Sequence, residues 1–263
     1  MGKERKHVVF VGAYGIQNAG DDAPLLVLTA GLRRLHPEVD FTFTVFSRHP
    51  DPLLERAGGA RFLPNVEYES RAAAGGKWFR GFNVGDDRTD LEAIEAAIRD
   101  ADLVVAGAGN VLVDIALDLF RGPIALLATY AFLADLFRTP FFLFGVTAGP
   151  LQTRHGRDLS AWIARRASAV TVRDQASAAL LKRLDADLAV DVFPDPVLGL
   201  VPASDAALER ALAEEGLPPR GARPRLAVAL RDLDFLGFDD GLLVETLRRL
   251  SAEYELLFVP QCT

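Results

Sequence analysis

VGAYGIQNAGDDAPLLVLTAGLRRLHP, residues 11–37, decides how the chain is read. The apolar run His7–Gly12 enters it as a buried first strand. Glycines follow at Gly12, Gly15 and Gly20, and then Leu25, Leu26, Leu28, Leu32 and Leu35 at close to helical spacing, which predicts a helix over Ala23–Leu35. A dinucleotide-binding turn needs G-x-G-x-x-G directly after the strand. Here the pattern is G-x-x-G-x-x-N-x-G-D-D, so that use is excluded. The glycines still allow positive φ and close backbone approach, and the helix start still offers unpaired N–H groups. Asp21 and Asp22 complicate an anion at that place, because two carboxylates repel a phosphate. One expectation is that one of them caps the helix; the alternative is that the other faces a cleft and hydrogen-bonds or deprotonates a sugar hydroxyl.

Outward from that stretch, strand-length apolar runs alternate with helical patterns. Strands are expected at Phe41–Ser47, Asp102–Ala106, Phe141–Val146, Ala169–Val172 and Leu188–Phe193. Helices are expected at Asp90–Arg99 (capped by Asp90), Pro123–Phe137, Leu159–Ala167 and Gln175–Leu184, with a long loop over 58–89. Strands separated by helices imply βαβ units, hence an α/β fold with a Rossmann-like parallel sheet flanked by helices. Ligands of such sheets bind beyond the carboxyl ends of the strands. Pro202, Pro218, Pro219 and Pro224 mark a boundary. The expected organisation is a domain over 1–200, a linker over 201–224, and the start of a second α/β domain over 225–263, with strand Leu226–Leu230, helix Asp240–Tyr254 and strand Leu256–Val259.

Composition narrows the function classes. The 263-residue chain has a formal charge of −7, which argues against non-specific nucleic-acid binding. Its one cysteine, Cys262, cannot form an internal disulfide, so a reducing, cytoplasmic setting is favoured. Four histidines and one cysteine make a His/Cys zinc site a poor reading. The longest apolar window, Gly122–Phe137, carries Asp135 and falls short of the about 20 residues that span a bilayer, so no integral membrane segment is expected.

The residues that carry chemistry sit at expected strand ends. In GAGNVLVD, Gly107 and Gly109 permit a tight turn with room for a ligand. Asn110 and Asp114 are polar groups in an apolar setting; a closed loop with a cap explains them as well as ligand contact does. In VTVRDQAS, Arg173 follows an apolar strand, where a buried charge needs a partner. It either grips a carboxylate or phosphate with parallel hydrogen bonds or pairs with Asp174 or Asp195. Asp174 is expected to cap the next helix. His155, between Arg154 and Arg157, reads as a solvated loop residue, and His7, His36 and His49 sit in uninformative surroundings. No Ser-His-Asp order, P-loop or metal cluster stands out.

These segments together resemble the polysaccharide pyruvyl transferase family. The family's Gly-x-x-Gly-x-x-Asn-x-Gly-Asp loop is matched from Gly12 to Asp21. Its Asp-Leu-then-Gly-Gly segment is matched by Asp102-Leu103 and Gly107-Ala108-Gly109, with Ala108 where glycine is more usual. Gly149-Pro150, the Val-Arg-Asp-x-x-Ser segment from Val172 to Ser177, and Asp195-Pro196 complete the order across about the first 200 residues. The resemblance implies a two-domain, glycosyltransferase-B-type fold of which this chain holds the N-terminal half and the first βαβ of the second. It implies transfer of the enolpyruvyl carbons of phosphoenolpyruvate to a sugar of a cell-envelope polysaccharide or its precursor, with no metal or cofactor required. Phosphoenolpyruvate and a sugar, sugar-nucleotide or lipid-linked acceptor are the implied partners, and a homo-oligomer is compatible with it. Asp21, Asp22 and Arg173 are the implied catalytic residues. Gly12, Tyr14, Asn18, Gly20, Gly107, Gly109, Asn110, Gly149 and Asp174 are the implied substrate-binding residues. The family's second domain supplies further basic and histidine residues, and this chain has no histidine after His155. The expectation is a chain that holds half an active site. A sugar-nucleotide-dependent glycosyltransferase of the same architecture and a non-catalytic binding module are the alternatives.

Overall fold

The computed structural model describes residues 2–15, 18–47, 52–65, 88–114, 122–217, 221–229 and 240–259. The chain divides into two compact units, one of residues 1–16 and 20–200, the other of residues 17–19 and 201–263.

In the first unit, β1 (Glu4–Val11) leads to α1 (Ala19–Leu35), β2 (Val39–Ser47), α2 (Pro52–Gly58) and β3 (Arg61–Pro64). Then come α3 (Arg88–Arg99), β4 (Leu103–Leu112), α4 (Pro123–Phe137), β5 (Phe141–Ala148), α5 (Arg154–Arg166), β6 (Ala169–Val172), α6 (Gln175–Leu184), β7 (Asp191–Val192) and a 3-10 turn at Pro196–Gly199. The seven strands form one sheet in the order β3-β2-β1-β4-β5-β6-β7, and every pair is parallel. Strand order reverses between β1 and β4, where Val11 pairs with Ala106. This is the doubly wound, Rossmann-like arrangement expected from the alternation of runs.

Both faces of the sheet are covered, so its central strands read as continuous apolar runs. On one face Val8, Phe10, Phe43, Val45 and Phe62 pack with Leu25 of α1 and Leu54 of α2. On the other, Val9, Val11, Phe46, Val104 and Leu143 pack with Ile94 and Ile98 of α3, Ile124 and Leu127 of α4, and Ile163 of α5. Burying a Leu or Ile side chain is worth about 1.5–3 kcal/mol, so these two layers supply the main stabilisation of the unit.

The second unit contains α7 (Asp205–Glu214), β8 (Arg225–Val228), α8 (Asp240–Glu253) and β9 (Glu255–Phe258). β8 and β9 pair in parallel, and Arg225 and Glu255, aligned in the register, form an ion pair at 2.9 Å. None of its described residues is fully buried. Helix α7 occupies part of the expected linker. It starts at a serine cap, Ser204, whose hydroxyl accepts the Ala207 N–H.

Several expectations are corrected. Helix α1 begins at Ala19, four residues before the expected start, so Asp21 and Asp22 lie inside its first turn and not ahead of it. Helix α3 begins at Arg88, so Asp90 lies inside its first turn rather than capping it. Part of the expected 58–89 loop is strand β3, while 66–87 lie outside the described residues. The glycines of GAGNVLVD form no turn: β4 runs through them to Leu112, because its pairing with β5 continues at Gly107, Gly109 and Leu112 after the β1 pairing ends at Ala106. β7 is only two residues long. Helix α5 starts at Arg154, placing His155 in its first turn. His49, Leu230, Cys262, Pro218 and Pro219 lie outside the described residues.

Candidate functional site

The carboxyl edge of the sheet gathers the sequence motifs, beginning at the β1/β4 reversal. There the backbones of Gly12 and Gly107 meet: a Cβ on Gly12 would lie 2.8 Å from the Gly107 carbonyl oxygen and 3.0 Å from the Tyr14 ring. A Cβ on Gly107, whose φ is +123°, would lie 2.3 Å from the Phe144 carbonyl oxygen. These two glycines are therefore explained by strand packing. Gly109 differs. Its φ is +133°, and a Cβ there would lie 3.4 Å from Asp21 Oδ1, so Asp21 stands over bare backbone at the edge. Asn110 is the exposed residue of an otherwise buried β4 end.

The two acids separate. Asp22 Oδ1 accepts the Gly15 N–H at 2.7 Å and closes the glycine loop onto α1. Asp21, in the same first turn, lies against Gly109. Both complement the positive end of the helix dipole. Gly20 is exposed beside them, and Asn18 is half-buried.

Tyr14 is in the core, not on the open edge: it is 0% exposed, and its hydroxyl beside the Ala108 backbone makes no well-formed hydrogen bond among the described residues. Burial, and secondarily the charges of Asp21 and Asp22, push its phenol above the ordinary range, so it stays protonated. Its backbone carbonyl accepts the Ser47 hydroxyl at 2.8 Å.

The other motif members divide between scaffold and site. Asp102 lies at the opposite, amino end of β4, where it accepts the His7 N–H at 2.8 Å and Lys6 Nζ at 3.1 Å. Chiefly through the His7 bond, its carboxyl lies below the usual carboxylate range. Gly149, at φ +103°, donates its N–H to the Leu112 carbonyl at 2.7 Å, and a Cβ there would sit 2.9 Å from Leu180. The helix start expected after Asp114 lies outside the described residues. Asp114 Oδ2 takes the Thr153 N–H at 2.6 Å and hydroxyl at 3.0 Å, bracing the N-cap of α5.

Arg173 follows β6 and is held on two sides. Its Nε and Nη2 donate to Thr147 Oγ1 at 2.9 and 2.6 Å, and its Nη1 pairs with Asp195 Oδ2 at 2.5 Å. Asp195 Oδ1 meanwhile accepts the Val197 N–H at 3.0 Å and caps the 3-10 turn. Arg173 is thus paired with Asp195 and not Asp174. Asp174 caps α6 as expected, through the Ser177 N–H at 2.7 Å and hydroxyl at 2.9 Å, and the Ser177 backbone bond holds its carboxyl below the usual range. Thr147 was missed in the sequence. It faces Arg173 because β5 carries one extra residue: Leu143 pairs with Val170 but Val146 with Val172. Gly145, at φ +57°, falls inside that irregularity, and its N–H donates to the Thr171 hydroxyl at 2.8 Å. A lone glycine within an apolar strand is the signal that could have revealed it.

Among the described residues no helix is long and apolar enough to cross a membrane, and no three His, Cys, Asp or Glu side chains are grouped to hold a metal.

A doubly wound parallel sheet flanked by helices defines an α/β protein of Rossmann-like fold, and solved structures agree at the level of fold. The chain is 13% identical to a UDP-GlcNAc 2-epimerase from Methanocaldococcus jannaschii, with a TM-score of 0.54 over 96% of this chain and 65% of that one. It is also 13% identical to a putative UDP-N-acetylglucosamine 2-epimerase from Listeria monocytogenes, with a TM-score of 0.51 over 98% and 62%. The chain thus spans a little under two thirds of the length of these relatives. No curated protein matches the sequence. The family model for polysaccharide pyruvyl transferase matches residues 18–252, and the chain belongs to that family.

Proposed function

We propose that the protein takes part in transferring a pyruvyl group from phosphoenolpyruvate to a sugar of a cell-envelope polysaccharide or its precursor, in the cytoplasm and without a metal or cofactor. The observation that carries this reading is the placement of an acid, Asp21, and a cation, Arg173, at the same carboxyl edge of one parallel sheet. The donor bears a carboxylate and a phosphate, which call for preorganised N–H donors. The acceptor bears hydroxyls, which call for a carboxylate within hydrogen-bond reach.

In this reading an acid protonates the methylene carbon of phosphoenolpyruvate, and the central carbon becomes oxocarbenium-like. A sugar hydroxyl bonds to that carbon and gives its proton to Asp21. Phosphate leaves with the electrons of its bond to carbon, a second hydroxyl bonds in its place and gives its proton to the departing phosphate, and a ketal results. Arg173 holds negative charge of the donor, while Asp22 keeps the loop and Asp21 in place.

Phosphate release from phosphoenolpyruvate tests the proposal, measured with UDP-sugars and polysaccharide fragments as acceptors. Acceptor-dependent release that is lost in Asp21→Asn supports it. Consumption of a sugar nucleotide without any dependence on phosphoenolpyruvate would replace it with glycosyl transfer.

A further inference from the structure

We infer that Thr147 and Arg173 form one oxyanion subsite, in which the Thr147 hydroxyl is itself a ligand donor. A threonine hydroxyl has two lone pairs and one proton. Both lone pairs of Thr147 are taken by Arg173, through Nε at 2.9 Å and Nη2 at 2.6 Å. The proton has no acceptor among the described residues, and its direction is restricted by the two bonds the oxygen accepts.

Arginine carries five N–H donors. Thr147 takes two and Asp195 a third, which leaves one on Nη1 and one on Nη2. The Nε/Nη2 side of the guanidinium, which ordinarily grips a carboxylate, is therefore closed by Thr147. A ligand meets instead the two remaining guanidinium protons and the threonine proton. Arg173 and Asp195 remain 25% and 30% exposed, so the group is reachable from solvent.

Three donors without a competing acceptor suit an oxyanion, whether carboxylate or phosphate. The nearby carboxylates are themselves engaged: Asp195 holds Nη1 and the Val197 N–H, and Asp174 is bound by Ser177. Asp195 offsets much of the arginine charge, so the subsite works by directed hydrogen bonds more than by net charge. The register places the group, since the extra residue in β5 sets Thr147, and not Val146, beside Arg173.

The inference rests on the donor-holding role proposed for Arg173. The test is isothermal titration of wild type, Thr147→Val, Thr147→Ala and Thr147→Ser with phosphoenolpyruvate, pyruvate and inorganic phosphate, with folding followed by circular dichroism. The expected result is a loss of affinity of about fivefold or more for at least one ligand in the folded hydroxyl-less variants, with Thr147→Ser within about twofold of wild type. Loss for pyruvate alone assigns a carboxylate, and loss for phosphate alone assigns a phosphate. A folded Val or Ala variant that binds all three ligands like wild type overturns the subsite, and leaves the pyruvyl-donor reading standing if phosphoenolpyruvate still binds. A wild type that binds phosphate or pyruvate through Thr147 but not phosphoenolpyruvate upholds the subsite and overturns the donor reading. Binding of none overturns both.

Discussion

Asp22 accepts the backbone N–H of Gly15, seven residues earlier, at 2.7 Å, whereas Asp21 beside it lies against the bare backbone of Gly109. Two adjacent acids of one helical turn thus do different work. Asp22→Ala is expected to destabilise the protein by about 1–3 kcal/mol, the range for losing a hydrogen bond to a charged acceptor. Asp21→Asn is expected to keep the melting temperature within about 3 °C while abolishing acceptor-dependent phosphate release. Thermal denaturation and the release assay on both variants check the division. Equal thermal loss in the two would refute it.

The glycines of β4 are expected to separate as well. Gly107→Ala drives a methyl into the Phe144 carbonyl between paired strands, at a φ that alanine resists. A loss on the order of 3 kcal/mol or more is expected, read as a large fall in the urea midpoint. Gly109→Ala keeps the β4–β5 pairing and carries only the backbone strain, so its stability loss should be the smaller of the two.

Alanine is a better helix former than glycine by about 1 kcal/mol, yet Gly156→Ala should destabilise. Gly156 lies in the first turn of α5, and a Cβ there would sit 1.7 Å from Asp114 Oδ1. To make room, Asp114 must release the Thr153 N–H and hydroxyl. A net loss of about 1–2 kcal/mol is expected in chemical denaturation; a gain would show that the brace between Asp114 and Thr153 is dispensable.

The pH dependence follows from Asp174. Its carboxyl is lowered in the folded protein, first by the Ser177 N–H, so the folded state binds fewer protons than the unfolded one. Its contribution is complete above the ordinary aspartate value of about 3.9 and is lost as pH falls through the lowered folded value. Asp174→Asn should therefore flatten the acid limb of a stability profile below about pH 4 and change little of its slope near neutrality. An unchanged acid limb would remove Asp174 from its causes.

Much of this architecture was legible because it is written in local patterns. Ala169–Val172 and Gln175–Leu184 were bounded correctly, since Ser168 and Asp174 punctuate an apolar run and a helical one. β3 was missed because Arg61–Pro64 has only four residues and depends on its pairing with β2. The turn expected at Gly107–Asp114 failed for a related reason: glycine favours turns locally, yet here pairing with β5 outweighs that preference. Tyr14 is a substrate-binding residue only by the resemblance, and whether such a ring lies in the core or over a loop depends on three-dimensional packing. The Arg173–Asp195 pair was one of two readings open in the sequence. Thr147 follows the expected strand Phe141–Val146, but its contact with Arg173 could not be read without the strand register.

The extra residue in β5 works as a parity change. Before it the odd-numbered residues Phe141 and Leu143 face the core, and after it the even-numbered Val146 and Ala148 do. Thr147 owes its outward direction to that change alone. Straightening the strand without shortening it would turn Thr147 to the core face and set valine beside the arginine, whereas a one-residue deletion at Gly145 would keep Val146 opposite Val172 and Thr147 beside Arg173. Core and ligand contacts along this strand are therefore set by one register, and the extra residue is what reconciles the two.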